Sequence, residues 1–169
     1  MLAKPSHSQA SAGSDTEPHP HLRVLRQFRL VFSAVRRHFS QMEKVAGLGG
    51  APIWAMSLIA QAPGMRVSQL AHAMDVHQST ASNLVRALIQ AGYVHSEKST
   101  SDRRVAELYP LPAGHKLLRK VPGPYTGVLP QALSELDTST LLELENHLAV
   151  LLQKLDIDER SAKTPMALM

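Results

Sequence analysis

The side chains best suited to recognising another molecule lie between Gln78 and Arg86. Gln78, Ser79, Thr80, Ser82, Asn83 and Arg86 alternate there with Ala81, Leu84, Val85 and Leu88. That spacing sets the apolar residues on one face of a helix and the polar residues on the other. Small hydroxyls at such positions reach phosphates and base edges. An amide matches the edge of adenine, and a guanidinium that of guanine. Their place at the start of the helix also turns its partial positive end towards phosphate. The same residue types serve equally well as caps and solvated surface, so this helix taken alone leaves both readings open.

The neighbouring elements narrow the choice. A first helix is expected over Val67–Met74 and a second over Gln78–Ala91, joined by Asp75-Val76-His77 and closed by Gly92. Leu70, Ala71, Met74 and Val76 form the apolar side of the first helix and the turn. Two short helices joined in this way are a helix-turn-helix, whose second helix can enter a major groove. Two strands are expected next, Tyr93–Lys98 and Val105–Tyr109, with a polar connection between them. Lys98, Ser101, Asp102, Arg103 and Arg104 would make this hairpin a basic wing. A guanidinium on a thin hairpin can enter a narrow minor groove, where the potential is most negative, and Asp102 beside it can orient the fork. A solvated turn with an internal ion pair is the alternative. A wing attached directly to a helix-turn-helix favours the groove.

The rest of the chain must hold this unit. Residues 1–20 are rich in Ser, His and Pro and are expected to be a disordered tail. From His21, Val24, Phe28, Val31, Val35, Phe39 and Met42 recur at steps of four and three, which predicts a long amphipathic helix ending near Gly47-Leu48-Gly49-Gly50. Ile53, Trp54, Met56, Leu58 and Ile59 are apolar nearly all round, so the next helix should be buried. A helix starting at Pro112 is interrupted by Pro122-Gly123-Pro124 and Pro130. The last helix carries Leu141, Leu144, Leu148, Leu151 and Leu155 as a seam. Neither that seam nor the Val24–Met42 face has a partner within so small a winged lobe, which implies a dimer. The expected organisation is mainly α (α+β), a winged helix-turn-helix over residues 51–111. Residues 21–50 and 112–156 would supply dimerisation helices, with a flexible tail over 157–169.

Composition bounds the function. Lys+Arg 18 against Asp+Glu 14 gives a formal charge of +4, compatible with a polyanionic partner. The distribution is uneven. Residues 21–45 hold six Lys/Arg and one acid, whereas residues 131–160 hold seven acids and two bases. With no cysteine, thiol redox chemistry, thiolate metal sites and disulfides are excluded, which is compatible with a reducing cytoplasm. No apolar run approaches a membrane span and no secretory signal is visible, so a cytoplasmic protein is expected. There is no Gly-x-Ser-x-Gly elbow, phosphate-binding loop or His-Glu-x-x-His, and an enzyme is not expected. Nine histidines are present but scattered, without compact metal-ligand spacing, so neither metal nor cofactor is expected.

Several stretches together resemble the MarR family of transcription regulators. They are Ser79-Thr80-Ala81-Ser82-Asn83-Leu84-Val85, Leu88, Gly92-Tyr93-Val94, Asp102-Arg103-Arg104-Val105 and Pro112-Ala113-Gly114. The resemblance spans roughly residues 23–155 and is most specific from the wing to the glycine. It implies a homodimer binding palindromic promoter double-stranded DNA, most often as a repressor, and often released by a small molecule. It also implies an effector pocket between the dimerisation helices and the winged lobe, for which His38, Met42, Trp54 and Met56 are the candidates. Ordinary core packing is the alternative for these four. The chain departs from the family pattern at Pro110-Leu111, Arg66 and His77, where capping residues usually stand. Each lost cap costs about 1 kcal/mol. The rival to a DNA-binding regulator is an interaction adaptor that kept the winged scaffold without specific DNA binding.

Overall fold

A computed structural model describes residues 19–98, 106–158 and 162–168. The fold is mainly helical with one small antiparallel sheet. Helix α1 (Pro20–Ala46) leads to α2 (Gly50–Gln61), a two-residue strand β1 (Met65–Arg66), α3 (Val67–Ala73) and α4 (Gln78–Gln90). Strands β2 (Val94–Lys98) and β3 (Ala106–Pro110) follow, then α5 (Pro112–Lys120), α6 (Val128–Ser134) and α7 (Thr138–Leu152). A short 3-10 turn, Met166–Leu168, ends the described chain.

Helix α2 is the hub. Its residues Ala51, Ala55, Met56 and Ile59 are fully buried and pack against Leu70, Leu84, Leu88, Val94 and Leu108 from α3, α4 and the sheet. A second cluster joins Met42 of α1, Ile53 of α2, and Leu117 and Val121 at the end of α5. These two clusters attach the DNA-reading candidate to the long N-terminal helix. Gly114 permits the junction: a Cβ there would overlap the Met56 methyl and sit 2.6 Å from the Tyr93 carbonyl oxygen. The expected Pro-Ala-Gly lead into α5 therefore has a packing reason.

The sheet has three strands, not two, in the order β1-β3-β2. Met65 pairs with Leu108 and Arg66 with Glu107, so a two-residue segment closes the far edge of β3. So short a strand carries no alternation of its own, and only pairing reveals it.

The break between α5 and α6 falls where Pro122-Gly123-Pro124 predicts it. Tyr125 stitches it, its hydroxyl donating to the Leu118 carbonyl at 2.8 Å. Pro130 fits within the first turn of α6, where its missing N–H has no partner to lose.

Three features of the outer helices and the C-terminal segment bear on this organisation. The apolar stripe of α1 is buried only from Val35 onward, while Val24 and Val31 remain exposed. The first turns of α1 thus run beyond the protomer's core. Helix α7 has no buried residue and ends at Leu152, so Leu155 lies past it, and Leu144, Leu151 and Leu155 are exposed. Finally, within residues 162–168 Pro165 is buried and Ala167 packs against the larger core cluster beside α2.

Candidate nucleic-acid interface

The helix-turn-helix has the faces that its sequence predicts. Leu70, Ala71, Met74, Val76, Ala81, Leu84, Val85 and Leu88 are all buried. The opposite face of α4 presents Gln78, Ser79, Asn83 and Arg86 as exposed side chains, with Thr80 and Ser82 half-buried beside them. All six sequence candidates therefore lie on one helix, beginning at its first residue. The turn holds Asp75 at a φ of 50°, a left-handed conformation that an aspartate tolerates better than most residues.

Two of the six are not independent. Arg86 donates from Nη1 to the Asn83 carbonyl oxygen at 3.0 Å, across one turn. Sequence reasoning treated them as separate readers, although their i, i+3 spacing is the signal that links them. The bond leaves the Asn83 amide donors and most of the guanidinium edge facing outward. Ser82 donates to the Gln78 carbonyl at 2.8 Å, so its hydroxyl serves the helix backbone in the free protein.

The caps are mixed. Leu111 and His77 provide no side-chain cap, as their residue types predict. Arg66 has no acceptor either, but its backbone N–H donates to Gln69 Oε1 at 2.8 Å. Half of a capping box therefore survives, and the loss expected at α3 is partly recovered. Asp137 caps α7 more fully. It accepts from the Thr140 N–H at 2.9 Å, the Thr140 hydroxyl at 2.7 Å and the Ser139 hydroxyl. These bonds, led by that from Ser139, hold its carboxyl well below the usual carboxylate range.

The wing divides into a described stem and a tip outside the described residues. Lys98 is exposed at the end of β2. Ser101, Asp102, Arg103 and Arg104, the other wing candidates, lie outside the described residues. The stem carries an arrangement that the sequence reading missed. Glu97 stands opposite Glu107, and Arg66 stands opposite Glu107 on its other side. His95 pairs with Tyr109 across the strands, their rings stacked at 5.6 Å. His95 Nε2 bonds Glu97 at 2.9 Å, and the Tyr109 hydroxyl donates to Glu107 at 3.0 Å. The bond to Glu107 is the main reason the Tyr109 hydroxyl titrates above its ordinary value, followed by burial and the charges of Glu107 and Glu97. Period-two spacing of His95 with Glu97, and of Glu107 with Tyr109, was the available signal.

The buried pattern of α3 and α4 and the wing that follows coincide with a recognised family. Residues 54–106 match the model of the MarR family. Over those residues the chain is similar to the MarR family. No curated protein matches it. Among solved structures, it is similar to a MepR-like protein complexed with pseudoligands, at 15% identity and a TM-score of 0.54, covering 78% of this chain and 94% of that one. It is also similar to YusO from Bacillus subtilis, at 21% identity and a TM-score of 0.52, over 80% of this chain and 96% of that one. A third is FabT from Streptococcus pneumoniae in complex with DNA, at 16% identity and a TM-score of 0.52, over 80% and 97%. These likenesses establish the fold.

The four candidates for an effector pocket line neither of two cavities found among the described residues. Met42 belongs to the smaller core cluster and Met56 to the larger, both fully buried. Trp54 is half-buried at the edge of the larger cluster. His38 is buried, and its Nε2–H donates to the Pro124 carbonyl at 2.9 Å, tying α1 to the break after α5. The long, flexible methionines fill the gaps between helices here, so their positions read as core. Among the described residues, no three His, Asp or Glu side chains gather to hold a metal. None of the described helices is long and apolar enough to cross a membrane.

Proposed function

We propose that this protein is a sequence-specific DNA-binding transcription regulator, acting as a homodimer at palindromic promoter sites. Its mode, by resemblance to the MarR family, is repression relieved by a small molecule. The observation that carries the reading is the outer face of α4. There the hydroxyls, the amide and the guanidinium of Ser79, Asn83 and Arg86 stand free of the core, on a helix whose other face is wholly buried. Recognition helices of this kind lie in the major groove, with base edges within reach of their first turns. The basic residues Arg103 and Arg104 would then contact the adjacent minor groove.

The dimer reading is supported by what the protomer leaves uncovered. Leu22, Val24, Leu25 and Val31 on α1, and Leu142, Leu144, Leu151 and Leu152 on α7, are exposed. The two helices carry opposite charge, with Arg23, Arg26, Arg29 and Arg37 on α1, and Glu143 and Glu145 on α7. Pairing two copies through these helices would bury the apolar surface and match the charges, which favours register. A two-fold axis would set the two α4 helices roughly 34 Å apart, one turn of DNA.

Purified protein mixed with sheared genomic DNA from its source is expected to enrich a few promoter fragments sharing a palindrome. The Arg103→Ala/Arg104→Ala double variant should lose most of that enrichment and show a flatter dependence on salt. A folded wild-type dimer that enriches nothing, or a double variant indistinguishable from it, would replace this reading with the interaction adaptor.

A further inference from the structure

A cavity of about 330 Å³ opens between α1 and the C-terminal segment, lined by none of the four residues that the family resemblance suggested. Its apolar wall is made by Phe32, Val35 and Phe39 on one side and Met166 on the other. The wall is preformed. Phe39 sits between Gly50 and Gly127, where a Cβ on either glycine would overlap its ring. The C-terminal side is also anchored, because Pro165 is buried and Ala167 packs beside α2.

Arg36 and Glu43 also line this cavity, and neither has a partner among the described residues. They lie seven residues apart on α1, two turns of the same face, which separates them by about 10 Å. An occupant with one anionic end would meet Arg36 but also the field of Glu43. An occupant with opposite charges at its two ends satisfies both, with its apolar body against the phenylalanines. We propose that this cavity is a binding site for a small zwitterionic molecule with an apolar middle, of the size and charge separation of a short apolar peptide. Three extended residues span about 10 Å between their terminal charges. The site deepens the effector clause of the proposed function and rests on it only for its regulatory meaning.

The test uses full-length protein with its methionine methyls labelled with carbon-13, titrated with the tripeptide Ala-Phe-Ala with free termini. Met166 is one of seven methionines, and the buried Met74 at the end of α3 serves as an internal control. The Met166 methyl resonance should shift and saturate while that of Met74 stays in place. Arg36→Gln and Glu43→Gln, both exposed and expected to fold, should each weaken binding about two- to fivefold. The acetylated and amidated tripeptide should bind the wild type no better than the free tripeptide binds the Arg36→Gln/Glu43→Gln double variant. An unmoved Met166 would overturn the proposal, and so would equal binding of the blocked peptide. A Met166 shift that follows protein concentration, not peptide, would mean that a second copy fills the cavity, and would also overturn it. DNA enrichment measured separately distinguishes this failure from failure of the regulator reading. Peptide binding by a protein that enriches no DNA would leave the site standing.

Discussion

The bond between Arg86 and Asn83 leads to a quantitative prediction about base reading. In the free protein Arg86 Nη1 donates to Asn83 Oδ1 at 3.0 Å on an exposed face, so the bond itself is worth only about 0.5–1 kcal/mol. Its larger effect is to hold the guanidinium plane relative to α4. An arginine has five donors, and this bond uses one of them. A two-donor contact to guanine can therefore form while the bond to Asn83 persists. Arg86→Ala should weaken binding to the selected operator by about 1–3 kcal/mol, roughly 5- to 150-fold, with little change on scrambled DNA. Asn83→Ala should lose its own contact and also loosen Arg86. The double variant should consequently lose about 0.5–1 kcal/mol less than the sum of the single losses. Fluorescence anisotropy with a labelled operator and a scrambled duplex, at one fixed salt concentration, measures all four proteins. Losses that add within about 0.3 kcal/mol would refute the coupling. Equal losses on both duplexes would show that these side chains touch only the DNA backbone.

Three further outcomes follow from the packing and the caps. Gly114→Ala should destabilise the fold by about 1–3 kcal/mol, because its methyl would meet the Tyr93 carbonyl; an unchanged thermal midpoint would contradict the tight α5–α2 junction. Asp75→Gly should raise stability by about 0.5–1 kcal/mol, by relieving the left-handed turn between α3 and α4, whereas Asp75→Val should lower it. Asp137 is held ionised below the usual carboxylate range by Ser139 and Thr140. A lowered folded-state pKa gives stability that is fully present above the unfolded value of about 3.9 and is lost as pH falls below it. Asp137→Ala should therefore lower the melting temperature at pH 7, and the gap to wild type should shrink below about pH 4. A gap that stays constant down to pH 3 would remove the cap from the account.

Much of the architecture was written in periodicity. The buried faces of α3 and α4, the extent of α1, the start of α5 at Pro112 and the break at Pro122 all follow from local spacing and from backbone geometry that Pro and Gly impose. The six α4 candidates were legible for the same reason: a helix with one wholly apolar face must present its other face outward. Features set by distant residues were not legible. Strand β1 exists because Met65 and Arg66 meet Leu108 and Glu107, some forty residues away. The acidic stem of the wing arises because pairing sets Glu97 opposite Glu107, a juxtaposition that neither strand encodes alone.

The effector candidates mark the same boundary. His38, Met42, Trp54 and Met56 are residue types that line pockets and also residue types that fill cores, and composition cannot separate the two uses. In the structure Met42 and Met56 lie inside two clusters, and the His38 N–H donates to a carbonyl after α5. A cavity beside α1 is bounded by a C-terminal segment whose sequence predicts only a loose tail. By itself the sequence determined which surfaces must be buried and which side chains could read DNA, because those depend on steps of three and four residues. Only the tertiary structure decided which of them touch one another, because contact between elements depends on how the chain turns between them.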